Sequence, residues 1–426
     1  MLKTIRCLSN NNYAPFASVE TMQIDIADAL RARDVLVTEH LHSEFPNPSL
    51  FKGQLSDLAL FKGRRFFLDT NLSQNHNTAG QSIYDAWSLP RFSFLTDSPL
   101  RKLAELKQFP NLGLIGVVDD DFHDILTAFD APGQGSVFFP HAGPAPLQDQ
   151  PDWSDRVIDV LIVGNVSSPH TTASWLKAAS GGDAAVKGVL DKALERCRTG
   201  TESLWSVVGL ECQAAGLDLS RERRAALVLE LETQLIAGRR RDLLAAITHK
   251  NVHYCGEVQP GADLKMGANI TAHGKVPFLD ILDFMRAAKV VIDVSPSFRN
   301  GAHERVFYGQ SRGSYILTEP SRFLAAEVEQ DLGIGFMPYD SGQIDAALSA
   351  IFDRGAEEMD TIRHRGVGLC DDPYMGPAGG CDAGVSGQVV LGCIRGLALA
   401  QQSDLEAAGQ QCISRRGGQG ADPAVQ

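Results

Sequence analysis

The stretch that decides the fold is residues 289–319, with the sequence KVVIDVSPSFRNGAHERVFYGQSRGSYILTE. It opens with a continuous apolar run, turns at Asn300 and Gly301, and continues as a helix-forming segment as far as Gly313. A second apolar run, GSYILTE, follows directly. Two apolar runs joined by a helix-forming segment predict a βαβ unit with parallel strands.

Further units of the same kind lie on both sides of this stretch. Buried strands are predicted at 33–40, 64–70, 91–97, 112–121 and 135–143, and again at 157–165, 251–258, 288–296, 313–319 and 333–340. Helical patterns separate several of them, for example at 18–33 and 100–109. Continuous apolar strands that alternate with helices are typical of parallel sheets covered by helices on both faces.

Two sheets are expected, because residues 144–156, PAPLQDQPDWSDR, are rich in Pro and Asp and lack periodicity, as linkers do. We therefore expect one domain over 1–150 and a second over 156–375, with a helical insertion at about 171–247. The tail at 376–426 is rich in Gly and Ala, and we expect it to be poorly ordered. The predicted fold class is α/β, with two Rossmann-like parallel-sheet domains facing a cleft.

The charge balance argues against a nucleic-acid partner. The 426 residues carry a formal net charge of −13 and have an isoelectric point of about 5.3, whereas binding to a phosphate backbone requires a basic face. Three consecutive cations, Arg239, Arg240 and Arg241, lie in the insertion. For these we expect a solvated helix face rather than an anion site.

The sequence also bears on location and metal content. It has no run of about 18 apolar residues, so we expect no transmembrane helix. The first residues, MLKTIRCLSNNNYAPF, lack the apolar centre of a signal peptide. The eight cysteines form no CxxC pair and show no zinc-ligand spacing. We therefore expect a cytoplasmic protein with reduced thiols and no metal, and peripheral contact with a membrane stays open.

Polar residues after the predicted strands are the candidate site residues, because ligands of open parallel sheets bind at the carboxyl ends of the strands. Asn300 and Gly301 form a tight turn before a helix whose free N–H groups and positive dipole end suit a diphosphate. Arg305 adds a cation one turn further on. His303 and Glu304, at the same helix start, are expected to line the cleft.

Other strand ends offer further candidates. Gly164 follows a strand of the second domain and allows close approach of a ligand, with Asn165 as a hydrogen-bond donor; an ordinary tight turn is an equally good interpretation. In the first domain, Asp97 and His141 follow strands and suit the base that deprotonates an acceptor hydroxyl. For each residue taken singly, capping or surface solvation is the alternative.

Residues 289–319 resemble the donor-binding part of bacterial family 1-like glycosyltransferases, the group that contains the CgeB-type spore maturation proteins. The resemblance covers roughly residues 156–339, with weaker similarity in the first domain at 89–99, 117–122 and 138–143. The residues that match the family pattern are Gly301, His303, Arg305, Val306, Phe307, Gly313 and Glu319.

This resemblance implies a GT-B enzyme that moves a sugar from a nucleotide-diphosphate sugar to a glycan, lipid-linked or protein acceptor, such as a bacterial cell-surface glycan. It implies hexosyl transfer with no cofactor and no essential metal, so the acidic run at 119–121 is not interpreted as a metal site. The implied donor-binding residues are Gly164, Asn165, Asn300, Gly301, His303, Arg305, Phe307, Tyr308 and Glu319. The implied catalytic residues are Asp97, His141 and Glu304.

The sequence departs from the family pattern at Tyr308. Retaining GT-B enzymes usually have a glutamate there that holds the donor ribose, and a tyrosine cannot accept two hydrogen bonds as a carboxylate can. Glu304 is one turn earlier and is an alternative ribose ligand. Two other functions stay open: a sugar-nucleotide epimerase on the same fold, and a non-catalytic nucleotide-sugar-binding protein.

Overall fold

A computed structural model describes residues 5–11, 18–32, 34–41, 48–73, 76–78, 81–144, 146–167, 170–262, 264 and 266–371. Its first part contains a six-stranded sheet in the order β2-β1-β3-β6-β7-β8, in which all neighbouring strands are parallel. These strands are β1 (Ile5–Asn11), β2 (Val35–Leu41), β3 (Arg64–Thr70), β6 (Arg91–Leu95), β7 (Gly113–Val117) and β8 (Ser136–Phe138). The two-residue strands β4 (Asn77–Thr78) and β5 (Gln81–Ser82) form a small antiparallel pair.

Helices connect these strands in the manner of parallel α/β proteins. They are α1 (Ser18–Arg31), α2 (Pro48–Leu60), α3 (Ile83–Ala86), α4 (Leu103–Leu106) and α5 (Phe122–Ala128), with a 3₁₀ turn at Pro99–Lys102. The next 3₁₀ turn, Trp153–Asp155, lies within the predicted linker between the two sheets.

The second sheet is also six-stranded and parallel, in the order β11-β10-β9-β12-β13-β14. Its strands are β9 (Ile158–Val163), β10 (Val252–Cys255), β11 (Ile270–Gly274), β12 (Ala288–Asp293), β13 (Tyr315–Thr318) and β14 (Ile334–Phe336). Four helices separate β9 from β10, namely α6 (Thr172–Ser180), α7 (Ala184–Thr199), α8 (Leu204–Ala214) and α9 (Arg221–Ala246). The remaining elements are α10 (Phe278–Ala287), α11 (Glu304–Ser311), α12 (Ala325–Glu329), α13 (Ile344–Phe352), α14 (Ala356–Asp371) and a 3₁₀ turn at Ser341–Gln343.

The central strands are apolar throughout because both of their faces are covered. In β9, Val160 and Ile162 pack in one hydrophobic cluster with Leu348 of α13 and Met359 of α14. The intervening Leu161 belongs to the cluster on the opposite face. Alternate residues of a strand point to opposite faces, so a strand buried on both sides needs an unbroken apolar run.

The predicted fold class is confirmed: the chain forms two Rossmann-like parallel sheets covered by helices, with a helical insertion in the second domain. The strands β1, β4, β5 and β11 were not predicted, and α2 is one of several helices that were not predicted. The limits of 1–150 and 156–375 for the domains stay predictions, and the predicted tail at 376–426 lies outside the described residues. Within the described ranges, no helix is long and apolar enough to cross a membrane.

Candidate functional site

The carboxyl ends of the two sheets meet through one loop of the second domain. This segment, residues 294–303, follows β12 and is called the docking loop below. Gly301 forms an isolated antiparallel bridge with Asp119, which follows β7 of the first domain. The N–H of Asp120 donates to the carbonyl of Asn300 at 3.1 Å. A Cβ on Gly301 would lie 2.2 Å from the carbonyl oxygen of Val118, so this close approach requires glycine.

The Asp119 carboxylate holds the same loop. Its Oδ2 accepts the N–H groups of Arg299 at 2.7 Å and of Asn300 at 2.9 Å. Asp119 is 1% exposed, and burial raises its pKa to about 7, although these N–H groups oppose the shift. The turn at Asn300 and Gly301, which was predicted to bind a diphosphate, is thus bound here by the carboxylate of Asp119 from the other domain. Diphosphate binding by this turn stays a prediction.

A second contact between the domains joins His141 to the start of α11. His303 precedes this helix, and its Nδ1 lies 2.6 Å from Oε2 of Glu304. The same Nδ1 lies 3.4 Å from the N–H of Arg305. The short contact with a carboxylate requires a proton on Nδ1, so we take the longer capping contact to be the weaker one. The other neighbour of Glu304 Oε2 is His141 Nε2, at 3.8 Å.

His141 and Glu304 differ in their charge at neutral pH. Burial lowers the pKa of His141 to about 4, against the opposing effect of the Glu304 charge. Burial alone would raise the pKa of Glu304, but His303, His141 and Arg305 outweigh it and hold that pKa well below its usual range. At neutral pH the arrangement is therefore an uncharged imidazole beside an ionised carboxylate.

The hydrogen bonds of His141 leave one ring nitrogen available. Nε2 faces the carbonyl oxygen of Thr96 at 3.4 Å, which places the proton on Nε2. Nδ1 is buried and, among the described residues, has no hydrogen-bond partner. A neutral imidazole with an unbound lone pair can accept a proton. Asp97, the other predicted base, is exposed at the turn after β6, and its charge acts on His141.

Arg305, the predicted phosphate ligand, is bound to a buried carboxylate. Its Nη1 donates to Oδ1 of Asp293, the last residue of β12, at 2.9 Å. Asp293 is fully buried and also accepts hydrogen bonds from the hydroxyls of Ser295 and Thr318. The Arg305 side chain is 17% exposed, so part of the guanidinium still faces outward.

Arg240 reaches the same strand ends from the insertion. Its guanidinium donates to the carbonyl oxygens of Asn165 at 2.6 Å and Val294 at 3.0 Å. A Cβ on Gly164 would lie 2.6 Å from Arg240 Cζ, so the glycine makes room for the cation rather than directly for a ligand. The Oδ1 atom of Asn165 accepts the N–H of Glu257 at 2.8 Å.

Our expectation of a solvated helix face was wrong for Arg239 and Arg240. Arg240 is 8% exposed, and the Arg239 side chain is 12% exposed. Helix α9 packs its last turns against the sheet, because the strand ends supply carbonyl and carboxylate acceptors. Arg239 donates to Oε1 of Glu319 at 2.9 Å and to the carbonyl of Tyr339. The predicted donor residue Glu319 is therefore buried in an ion pair, and burial raises its pKa against the effect of Arg239.

The arginine side chains near these strand ends differ in their partners. Arg239 and Arg305 each have a carboxylate partner. Arg240 and Arg299 instead donate to backbone carbonyls, and among the described residues neither has a carboxylate within ion-pair distance. Burial lowers the pKa of Arg240 to about 10, so it remains protonated at neutral pH. Buried charge without a counter-charge is costly, and an anionic ligand would relieve this cost.

Two other predicted donor residues face the first domain. The hydroxyl of Tyr308 donates to Oδ2 of Asp25, in α1, at 2.9 Å, and Tyr308 is fully buried. The carbonyl oxygen of Phe307 would lie 2.6 Å from a Cβ placed on Gly143. In this arrangement the Tyr308 hydroxyl is bound to Asp25, and its contact with a donor ribose stays a prediction.

Sequence reasoning missed Asp25 and Arg240 as members of the site. Asp25 lies in the middle of α1 and does not follow a strand directly, so it carries no sequence signal. Arg240 belongs to a run of three consecutive arginines, and this run was the sequence signal that could have placed it in the site. Within the described residues, no group of three or more His, Cys, Asp or Glu is placed to hold a metal ion.

No protein-family model and no curated protein matches this sequence. Among solved structures, it is similar to AviGT4, a glycosyltransferase involved in avilamycin A biosynthesis, with 12% identity, a TM-score of 0.48 and coverage of 93% of this chain and 98% of the other. An α-glucosyltransferase in complex with UDP is 10% identical, with a TM-score of 0.49 and coverage of 92% and 99%. The UDP-forming α,α-trehalose-phosphate synthase from Burkholderia vietnamiensis is 12% identical, with a TM-score of 0.42 and coverage of 94% and 98%.

Proposed function

We propose that the protein is a glycosyltransferase that uses a nucleotide-diphosphate sugar as donor. One observation carries the proposal: a neutral histidine of the first domain, His141, lies beside an ionised carboxylate of the second, Glu304. Glycosyl transfer requires a group that accepts the proton of the acceptor hydroxyl. A pair shared by two domains suits a reaction in which each domain binds one substrate.

Arg240 and Arg299, which have no carboxylate within ion-pair distance among the described residues, support the donor side of the proposal. Arg305 acts electrostatically on both Glu304 and Arg240, so the cationic strand ends lie next to the histidine–carboxylate pair. A departing nucleoside diphosphate gains negative charge as its bond to the sugar breaks. Fixed guanidinium groups in a buried site stabilise such charge without reorganisation of solvent.

In the proposed reaction, Nδ1 of His141 accepts the proton of the acceptor hydroxyl. Its Nε2–H faces Glu304 and the carbonyl of Thr96, which fixes the ring and stabilises the positive charge that develops on it. The acceptor class, a glycan, a lipid-linked glycan or a protein, stays open. Hexosyl transfer, independence of metal and a cytoplasmic location are further parts of the proposal.

The first experiment is a thermal-shift screen with UDP-, GDP- and dTDP-sugars, because a ligand that binds the native state raises its melting temperature. The sugars that bind are then incubated with and without a panel of acceptors. Release of nucleoside diphosphate that depends on an acceptor supports transfer. A new sugar nucleotide formed without any acceptor identifies an epimerase, and binding without turnover identifies a binding protein.

A further inference from the structure

The docking loop presents two adjacent backbone N–H groups to a single oxygen. Oδ2 of Asp119 accepts from Arg299 and Asn300, and Oδ1 accepts the N–H of Asp121 at 2.9 Å. Successive N–H groups that converge on one point form the kind of concave site that binds phosphate oxygens. Here the group in that site is the carboxyl of Asp119.

The carboxylates around Asp119 have cations of their own. Asp121 pairs with Arg322 at 2.5 Å, and Glu232, which lines the same small cavity, pairs with Arg101 at 2.5 Å. Among the described residues, Asp119 has no cation within ion-pair distance, so the loop's N–H groups are its charge-stabilising partners. The hydrogen bonds from the loop to Asp119 therefore exist only while the docking loop contacts the first domain.

Docking also buries the groups that the proposed reaction needs. Phe298 of the loop lies against His141 and Phe122 of the first domain, with ring centroids 6.1 and 6.3 Å apart. The His141 side chain is 0% exposed. While the loop keeps this position, His141 is closed to an acceptor hydroxyl, and the N–H groups of Arg299 and Asn300 are already bonded to Asp119.

We propose that Asp119 is a positioning residue that occupies the anion site of the docking loop, so that the donor's phosphate must displace it to bind. The docked state then excludes substrates, and nucleotide binding releases the loop from Asp119. The His141–Glu304 pair forms again when the domains close on the bound substrates. This inference rests on the proposed function, because it assigns the N–H groups of Arg299 and Asn300 to the donor. When only a fraction of the molecules is in the binding-competent state, the apparent affinity for the ligand is reduced to that fraction of its intrinsic value.

The test compares wild type, Asp119→Ala and the control Asp124→Ala, which removes an exposed carboxylate from the same region without touching the docking loop. Affinities for inorganic pyrophosphate and for UDP are measured by calorimetry. We expect Asp119→Ala to bind both anions about tenfold more tightly than wild type, whereas the control stays within about twofold. Small-angle scattering without added anion should show a larger radius of gyration for Asp119→Ala alone.

Asp119→Asn provides a second variant if the alanine protein melts at a much lower temperature, because it keeps the side-chain shape and removes the charge. Unchanged or weaker pyrophosphate binding in a folded Asp119 variant would overturn the inference. The two proposals can fail separately. Tighter pyrophosphate binding without any turnover of sugar nucleotides supports the role of Asp119 and contradicts the glycosyltransferase assignment, whereas turnover with equal affinities does the reverse.

Discussion

His141 Nε2 and Glu304 Oε2 lie 3.8 Å apart although they belong to different domains, one after β8 and the other at the first residue of α11. Neither domain contains this pair by itself. The proposed reaction centre therefore forms only when the two domains close on each other. Residues that fix this arrangement are expected to influence catalysis as strongly as the pair itself.

Replacing Glu304 by glutamine tests the pair directly. The amide keeps the shape but loses the charge that stabilises protonated His141, so we expect the turnover number to fall by roughly 10²-fold to 10⁴-fold. The donor affinity should change far less, since the charge acts mainly when the proton is transferred. Initial rates with saturating donor measure the effect. A variant that keeps full turnover and its melting temperature would contradict the assignment.

The burial of His141 predicts a specific pH dependence of stability. Its pKa is about 4 in the folded protein and about 6.5 in an unfolded chain, so the unfolded chain binds the extra proton between these values. The contribution of the buried neutral His141 to the free energy of unfolding is complete above about pH 6.5 and is lost as the pH falls toward 4. The maximal loss is on the order of 3 kcal/mol.

The measurement is the difference in unfolding free energy between wild type and His141→Asn, followed from pH 7 to pH 4. Taking the difference removes the opposite contribution of Asp119, whose raised pKa favours the folded state as the pH falls. We expect wild type to lose stability relative to the variant over this interval. Parallel curves would show that His141 is not buried as a neutral group.

Most of the fold could be predicted because the strands of a covered parallel sheet are unbroken apolar runs. β3 was predicted with its observed limits, 64–70. β1 was missed, since the polar residues of IRCLSNN hide the strand although it lies inside the sheet between β2 and β3. β11 was missed because it is an edge strand whose residues are largely exposed and therefore need not be apolar.

The candidate site could be predicted only where a residue follows a strand or begins a helix. His141 and Glu304 were found in this way, since strand ends and helix starts are marked in the sequence. The partners of polar residues could not be found, because hydrogen bonds such as that between Tyr308 and Asp25 join positions 283 residues apart. Likewise, nothing local to Asp119 indicates that its carboxylate binds the backbone of another domain.

Tyr308→Phe should leave donor binding intact. Its hydroxyl donates to Asp25 of the first domain, so we expect the KM for the donor to stay within about twofold of wild type. The variant should lose about 1 to 2 kcal/mol of unfolding free energy, because the partly buried carboxylate of Asp25 loses the hydrogen bond from the tyrosine hydroxyl. Urea unfolding and donor-dependent kinetics measure the two quantities. A large rise in KM would instead support the contact with the donor ribose.

Arg240→Met tests whether the positive charge of Arg240 serves an anionic ligand. Methionine fills much of the same volume, so we expect the fold to persist and the affinity for UDP to fall about tenfold or more. Arg198→Met is the matched control, because it removes one positive charge from an exposed position at the end of α7. Equal UDP affinities in the two variants would show that Arg240 only supports the strand ends.

Arg305→Ala alone cannot test donor binding, because it leaves Asp293 buried without its cation. Breaking such a pair typically costs about 3 kcal/mol or more, so we expect a marked loss of stability. Combining it with Asp293→Asn removes the orphaned charge and should restore much of that stability. If Arg305 also binds the donor, the double variant will unfold near wild type in urea yet remain poor in UDP binding. Recovery of UDP affinity together with stability would limit Arg305 to its ion pair with Asp293.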